Sequence, residues 1–280
     1  MEKAIKRYFP IFVLPTMIAF TLGFIIPFVE GVYLSFCKFT TVNDAKFIGF
    51  ANYAKVFADE TFVHAFWYTA AFTVVSVILI NVLAFAVALL LTKGFKGTNI
   101  FRTVFFMPNL IGGIVLGYIW QLLLNGILMK FSRTLTYSST YGFWGLIILM
   151  CWQQIGSMMI IYIAGIQNIP GELIEAAEID GATKWQILKK VTIPMVMPSI
   201  TVCTFLTLTN SFKLFDQNLA LTNGEPSKMS EMLALNIFNT FYGRTGYEGV
   251  GQAKAVIFFI LVTVIALTQN YLTRRKEVQQ

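Results

Sequence analysis

Long apolar stretches alternate with shorter polar segments along the whole chain of 280 residues. Six stretches have about the 20 mostly apolar residues that a helix needs to cross a bilayer, and they cover residues 9–29, 65–92, 104–124, 142–167, 195–214 and 255–272. Each is continuously apolar and does not alternate with period two, which argues against transmembrane strands. The pattern predicts an all-α membrane protein with six transmembrane helices in a single domain over residues 1–280.

Charged side chains lie almost entirely between these stretches. With a cytoplasmic N-terminus, the inside segments hold 12 of the 21 basic residues in about 50 positions, and the outside segments hold 9 in about 80. The twelve are Lys3, Lys6, Arg7, Lys93, Lys96, Arg102, Lys184, Lys189, Lys190, Arg274, Arg275 and Lys276. Because basic residues concentrate in short cytoplasmic loops, both termini are expected to be cytoplasmic.

Composition narrows the class of protein further. The chain is 56% apolar and only 12% charged, whereas ordinary soluble domains are about 25% charged. This excludes a soluble domain, whose surface needs charge, and a disordered chain, which is poor in apolar residues. The net charge of +7 would by itself suggest nucleic acid, but the positions of the charges assign it to the membrane boundary.

The residues expected for enzyme or metal chemistry are missing from the sequence. It contains no G-x-x-x-x-G-K-[ST] loop for phosphate and a single histidine, His64. The three cysteines, Cys37, Cys151 and Cys203, are far apart and fit a packing role. We therefore predict no catalytic residues, no metal site and no cofactor bound by this chain.

The segment 168–194 between the fourth and fifth stretches carries strong local signals. Pro170 fits a helix start, Gly181 fits a left-handed helix end, and Thr183 can cap a second short helix that Pro194 would stop. These signals predict two short helices that project from the membrane. The residues alone fit an interfacial connector equally well.

One spacing in this segment resembles a known family. Glu175-Ala176-Ala177, three residues, Gly181, nine residues and then V-T-I-P at 191–194 resemble the EAA loop of binding-protein-dependent ABC importer permeases. The family pattern is E-A-A, three residues, G, nine residues and I-x-L-P. Val191 and Ile193 are the two departures, and both conserve volume and apolarity.

Three further phrases extend the resemblance along the chain. They are F-I-G-F-A-N-Y at 47–53, F-R at 101–102 followed by M-P at 107–108, and L-T-N-G-E-P at 221–226. Glu225 stands where the family has a second glycine. Together they resemble the maltose-type carbohydrate permeases, in particular the subunit similar to the larger maltose permease.

The resemblance implies the fold and assembly of a type I ABC importer permease in the bacterial inner (plasma) membrane. This chain would pair with a second related permease, with two ATPase subunits that use ATP and Mg, and with an extracytoplasmic solute-binding protein. It would itself be a transport subunit and not an enzyme. The solute would be a sugar or oligosaccharide that crosses by alternating access.

Other readings remain open at this point. The alternative cargo is another neutral solute such as a polyol or, less favoured, glycerol-3-phosphate. A phosphate group favours several basic residues, and the six stretches contain a single one, Lys213 at the edge of the fifth. A channel or a membrane enzyme is disfavoured, because no repeated filter phrase or cluster of titratable groups occurs within the stretches.

Two sets of candidate site residues follow. In the coupling loop, residues 168–194, the resemblance implies that the ATPase contacts Leu173, Glu175, Ala176, Ala177, Asp180 and Gly181. Neutral hydrogen-bonding and aromatic groups within the stretches, together with the resemblance, indicate a solute pathway formed by Asn109, Gly113, Trp152, Gln153, Gln154, Ser157, Thr207, Asn210 and Ser211.

Some assignments within the pathway are weighed against structural roles. Thr207, Asn210 and Ser211 share one helical face at spacings of three and four residues. Asn81 fits the pathway and an interhelical hydrogen bond equally well. Lys213 and Asp216 could gate the outer mouth of the pathway, but we expect them to pair with each other.

Overall fold

The computed structural model describes residues 2–94 and 96–274. By packing, the chain divides into two compact units. The first contains Met1–Glu60 and Ile237–Ile260, and the second contains Thr61–Asn236 and Leu261–Gln280. The predicted single-domain organisation remains a prediction.

The first unit begins with a long helical run and a small external hairpin. Helix α1 (Glu2–Phe20), a π-helical turn and α2 (Ile26–Leu34) form the first candidate span, Ile11–Leu34. Strands β1 (Cys37–Lys38) and β2 (Lys46–Phe47) pair antiparallel, and α3 (Ala51–Phe57) follows.

Hydrogen bonds from buried or loop side chains hold this hairpin. The amide of Asn52 donates to the carbonyl oxygens of Ser35 and Cys37, at 2.9 and 2.8 Å. Within the hairpin loop, the backbone amides of Thr40 and Thr41 donate to Asp44 and hold the pKa of that carboxyl below its usual value. The loop is thus closed by its own polar groups.

A buried ion pair lies in the same unit. The Nζ atom of Lys254 is 2.7 Å from Asp59 Oδ2 and 2.8 Å from Thr240 Oγ1, and Lys254 is fully buried. We predicted Lys254 just outside the last span, which was to start at 255, but helix α14 (Glu248–Arg274) runs through it. The helix thus extends beyond the predicted start of the span, and Asp59 balances the charge of Lys254 within it.

The second unit is a bundle around one central helix. Its first four helices are α4 (Glu60–Leu91), α5 (Thr98–Phe106), α6 (Gly113–Leu128) and the central α7 (Ser139–Gln167). The unit includes α4 from Thr61 onward. In α7, 61% of the most apolar window is buried inside the structure, a larger share than in the other candidate spans among the described residues. The fully buried core residues of this unit include Phe72 on α4 and Leu149 and Met159 on α7.

The third predicted span, 104–124, is not one helix. Helix α5 ends at Phe106, a 3-10 turn covers Met107–Leu110, and α6 begins at Gly113 after an extended Gly112. The break occurs because Pro108 has no amide hydrogen to donate and Gly112 gains little from a helical conformation. The candidate span is Gly113–Phe131.

The fifth predicted span, 195–214, is bent where it enters the bundle. A helical run from Lys184 to Met195 meets helix α11 (Met197–Phe212) at an angle of 69°. We predicted that Pro194 would stop the short helix before the span. Instead the run continues through Pro194, and the bend falls at Val196, between Pro194 and Pro198.

Two further helices, α12 (Asp216–Leu221) and α13 (Leu233–Gly243), lie between α11 and α14 in the sequence. Within the described residues, five helices are long and apolar enough to cross a membrane, or six if the bent pair counts as one span. The all-α prediction is thus confirmed. The described residues also contain the small hairpin of β1 and β2, two strands of two residues each, outside the spans. The orientation of the termini remains a prediction, and the basic residues 275–276 lie outside the described residues.

Candidate functional site

The coupling loop has the local structure that its sequence signals predict. Helix α8 (Gly171–Ile179) begins directly after Pro170, and Gly181 has a φ of 77° in the left-handed region. The side chain of Thr183 caps α9 (Lys184–Ile187) and exchanges hydrogen bonds with Gln186. A π-helical turn (Leu188–Thr192) and α10 (Ile193–Met195) then lead to the bend.

The predicted ATPase-contacting residues lie on the accessible side of this loop. Leu173, Glu175, Ala176, Asp180 and Gly181 are exposed, and Ala177 is half-buried. On the inner side, Ile174 packs against the core of the bundle. One side of α8 therefore anchors the helix while the other presents small and acidic side chains.

Two exposed apolar residues of the loop were missed at the level of sequence. Ile179 is 86% exposed and Trp185 is 69% exposed. Ile179 lies about one helical turn beyond Ala176 on α8, and Trp185 lies on α9. The sequence did show that α8 has more apolar residues than a single buried face requires, namely Leu173, Ile174 and Ile179.

A cavity of about 300 Å³ lies in the second unit, between α7 and the end of α11. It brings together three of the predicted pathway residues, Gln153, Gln154 and Asn210. The full lining is Met150, Gln153, Gln154, Asn210, Lys213, Leu214, Phe215, Asp216 and Gln217. Neutral amides therefore dominate its polar surface.

Hydrogen bonds connect these amides across the cavity wall. Gln217 Nε2 donates to Gln153 Oε1 at 2.8 Å, and Gln153 Nε2 donates to the carbonyl oxygen of Ile111 at 3.4 Å. Asn210 Nδ2 donates to Gln154 Oε1 at 3.4 Å. Gln217 was not predicted, since it lies beyond the end of the apolar stretch.

The predicted pairing of Lys213 with Asp216 was wrong. Both residues line the cavity, but no ion pair within 4.0 Å joins these two described residues. A spacing of three favours pairing within one helix. Helix α11 ends at Phe212, however, and α12 begins at Asp216, so the two residues do not share a helix.

The other six predicted pathway residues do not line this cavity, and three of them lie on α7 or before α6. Trp152 is 43% exposed and packs edge-on against Trp120, with ring centroids 5.5 Å apart. The hydroxyl of Ser157 donates to the backbone oxygen of Gln154 at 3.0 Å. Asn109 is exposed in the 3-10 turn before α6. The structure does not bring these side chains together with the amide cluster.

Thr207 and Ser211 are fully buried and do not share the environment of Asn210. Asn81 Nδ2 donates to Thr207 Oγ1 at 2.9 Å, and the hydroxyl of Tyr162 donates to Asn81 Oδ1 at 2.6 Å. This network joins α4, α7 and α11, which favours the interhelical role of Asn81. Helical spacing places the three residues on one face of α11 but does not show which edge of that face packs into the bundle, and their role in a pathway stays a prediction.

Gly113 contacts α12 and is itself covered by it. A Cβ atom at Gly113 would lie 2.7 Å from Asp216 Cβ, and one at Gly117 would lie 2.5 Å from Ala220 Cβ. One turn further, Gln121 Nε2 donates to the carbonyl oxygen of Leu221 at 3.1 Å. The two glycines allow α12 to sit directly on α6, so Gly113 positions the cavity wall.

The middle of α12 is held by Asn218, which is fully buried. Its amide donates to Ser230 O at 2.8 Å and to Thr222 Oγ1 at 3.0 Å, and its oxygen accepts from Met232 N at 2.9 Å. One side chain thus ties α12 to the loop that follows it. Nothing in the sequence distinguished Asn218 from its neighbours.

Comparison with known proteins identifies the class that this fold and loop define. Residues 80–278 match the family described as the binding-protein-dependent transport system inner membrane component. The match covers more than half of the chain. The chain belongs to this family, and is thus a multi-pass inner-membrane transport subunit of an ABC importer.

Relatives along nearly the full length confirm the resemblance to sugar permeases. The chain is 42% identical over 278 residues to the probable starch degradation products transport system permease protein AmyD of Thermoanaerobacterium thermosulfurigenes, covering 96% of this chain and 94% of that protein. It is 28% identical over 261 residues to the trehalose/maltose transport system permease protein MalF of Thermococcus litoralis, covering 89% and 88%.

A solved structure shows the same fold. A chain of a bacterial ABC transporter involved in the import of the acidic polysaccharide alginate matches with a TM-score of 0.82 at 23% identity, and covers 98% of both chains. At this identity the likeness concerns the fold alone. The predicted type I importer permease fold is confirmed.

Proposed function

We propose that this chain and a second, related permease subunit form the membrane pathway of an importer for a neutral sugar or oligosaccharide. The observation that carries the proposal is the amide cluster of Gln153, Gln154, Asn210 and Gln217 on one cavity wall. Each amide offers both donors and an acceptor, as a sugar with many hydroxyl groups requires. The names of the relatives point to the same class of solute.

The charges of the cavity support a neutral cargo. Lys213 and Asp216 contribute one positive and one negative group, and the remaining lining is uncharged. A phosphate-bearing solute such as glycerol-3-phosphate would gain from a surplus of cations, which this wall does not have. A polyol has the same hydroxyl chemistry as a sugar and is the alternative that experiment must separate.

ATP-driven motion would reach this pathway through the coupling loop. Leu173, Glu175, Ala176, Ala177, Asp180 and Gly181 would contact one ATPase subunit, which itself binds ATP and Mg. Ala176 and Ala177 allow close approach, and Ile174 links α8 to the bundle core. Movement of the ATPase would then turn the helices of the bundle as rigid bodies and expose the cavity alternately.

Uptake by the complete importer tests the proposed cargo. The chain, its partner permease, the ATPase and the binding protein are reconstituted in proteoliposomes and offered labelled maltose, maltotriose, trehalose, raffinose, sorbitol and glycerol-3-phosphate. We expect ATP-dependent and binding-protein-dependent uptake of at least one of the four sugars. Uptake restricted to sorbitol or glycerol-3-phosphate would overturn the sugar assignment.

Two variants test the coupling loop. In Glu175→Lys and Gly181→Trp, we expect normal membrane insertion with uptake reduced at least tenfold. The first reverses a charge at the contact, and the second forces a bulky residue into a left-handed conformation. Glu175→Asp is the matched control and should retain most uptake. Normal uptake in both severe variants would contradict the assignment of this loop.

A further inference from the structure

We infer that Gln217 is a solute-contacting residue that helps to determine specificity, and that it acts as a pair with Gln153. The inference rests on the proposed function, since it concerns the same cavity. Gln217 belongs to α12, beyond the apolar stretch, and lines the cavity beside Asp216 and Lys213. Its amide is bonded directly to that of Gln153 on α7.

The hydrogen bonds within this pair leave Gln217 with one donor and one acceptor that a sugar hydroxyl group could bind. Gln217 uses one amide hydrogen for Gln153 Oε1, at 2.8 Å. Its own oxygen accepts no hydrogen bond from the described residues. A hydroxyl both donates and accepts, so it can donate to Gln217 Oε1 and accept from the second amide hydrogen, or replace the bond between the two side chains.

Gln217 is held in place without help from a solute. Gly113 and Gly117 seat α12 on α6, and the Cδ atom of Gln217 lies 3.1 Å from the position of a Cβ at Gly113. Gln121 holds the end of the helix by donating to Leu221 O at 3.1 Å, and Asn218, next to Gln217, donates to Ser230 O at 2.8 Å. A hydrogen-bonding group on a fixed backbone loses little freedom on binding, which favours affinity and selectivity.

A purely structural role makes a different prediction. If Gln217 only ties α12 to α7, its loss would lower the thermal stability of the complex and leave solute affinity unchanged. If it contacts solute, affinity falls and stability changes little, because the glycine seat and Asn218 still hold α12. Gln153→Met should then weaken binding as well, and the double variant should lose less than the product of the two single losses.

The test measures direct binding, which separates this cavity from the binding protein. The purified complex of both permeases and the ATPase, without binding protein, is equilibrated by dialysis with labelled maltose, maltotriose and trehalose. In Gln217→Met we expect the dissociation constant to rise about five- to tenfold, the loss of a single hydrogen bond. Thermal unfolding midpoints should stay within about 1 °C of wild type.

Two further variants complete the design. Gln217→Glu preserves shape and an acceptor and should recover part of the affinity. Thr209→Val is the matched control and should bind like wild type. Among the described residues, the Thr209 hydroxyl donates only within its own helix, to Phe205 O and Leu206 O. Unchanged affinity in Gln217→Met, or a loss shared by Thr209→Val, would overturn the inference.

Failure of this inference can be told apart from failure of the proposed function. A wild-type importer that transports sugar while Gln217→Met binds it equally well overturns only the role of Gln217. A wild-type complex that neither binds nor transports any of these sugars overturns both statements.

Discussion

The coupling loop and the cavity wall are built in opposite ways. The loop is one contiguous segment, and its shape follows from Pro170, Gly181 and Thr183. Each of these residues starts, ends or caps a helix within a few residues of its own position. The cavity wall combines α7, the end of α11 and α12, and its central hydrogen bond joins residues 64 positions apart. One region is determined locally and the other by packing.

Because of this difference, substitutions should have different effects in the two regions. The exposed side of the loop contributes few buried contacts, so changes there should affect transport more than folding. The helices behind the cavity are packed closely, with glycine where backbones meet. Changes there should affect folding first. Three substitutions test the contrast, in order of expected effect.

Gly156→Ala should produce the largest effect. Gly156 is buried in α7, and a Cβ atom there would overlap the backbone carbonyl of Phe105 on α5. Backbone cannot move aside as a flexible side chain can, so we expect a loss of about 3 kcal/mol. Thermal unfolding of the purified complex and the amount of protein in the membrane measure it.

Gly126→Ala is the matched control for this substitution. Gly126 lies in α6, and apart from its chain neighbours and the backbone of its own helix no atom lies within 4 Å of the added Cβ position. Alanine has the higher helix propensity, so stability should be unchanged or slightly raised. Equal stability of the two variants would show that the α5–α7 contact is not close-packed.

Asn81→Leu should have an intermediate effect. It removes the partner of the Tyr162 hydroxyl and of Thr207 within the bundle, at a cost of about 1 kcal/mol as typical for such interhelical bonds in membranes. Unfolding of Asn81→Leu, Tyr162→Phe and the double variant forms a cycle that isolates the pair. Strictly additive losses would mean that the two side chains act independently.

Thr183→Ala should have the smallest and most local effect. The variant loses the cap of α9, worth about 1 kcal/mol, in a segment whose contacts are mostly its own. Amide hydrogen exchange over 183–188 should accelerate about fivefold, while the unfolding midpoint of the bundle stays constant. Thr183→Ser keeps the cap and should exchange like wild type. A falling midpoint would show that the loop supports the bundle.

Much of the architecture was readable from the sequence because its signals are local. The first, second and fourth predicted spans agree with candidate spans to within a few residues at both ends, whereas the last agrees only at its end, since the candidate span already starts at Glu248. The third span failed for a specific reason. Hydropathy counted residues 104–112 as part of a helix, whereas Pro108 and Gly112 break the backbone there.

The structure brings together only part of the predicted site. Gln153, Gln154 and Asn210 line one cavity, whereas Thr207 and Ser211 are buried within the bundle. Helical periodicity shows which residues share a face and not what that face contacts.

By itself, then, the sequence determined the helical membrane class, the positions of most spans and the shape of the coupling loop, because hydropathy and capping act over one or two helical turns. Only the tertiary structure decided that Gly113 seats α12, that Asn81 bonds across 126 residues to Thr207 and that Gln217 meets Gln153. Such contacts depend on the rotation and approach of whole helices, which packing between distant segments sets.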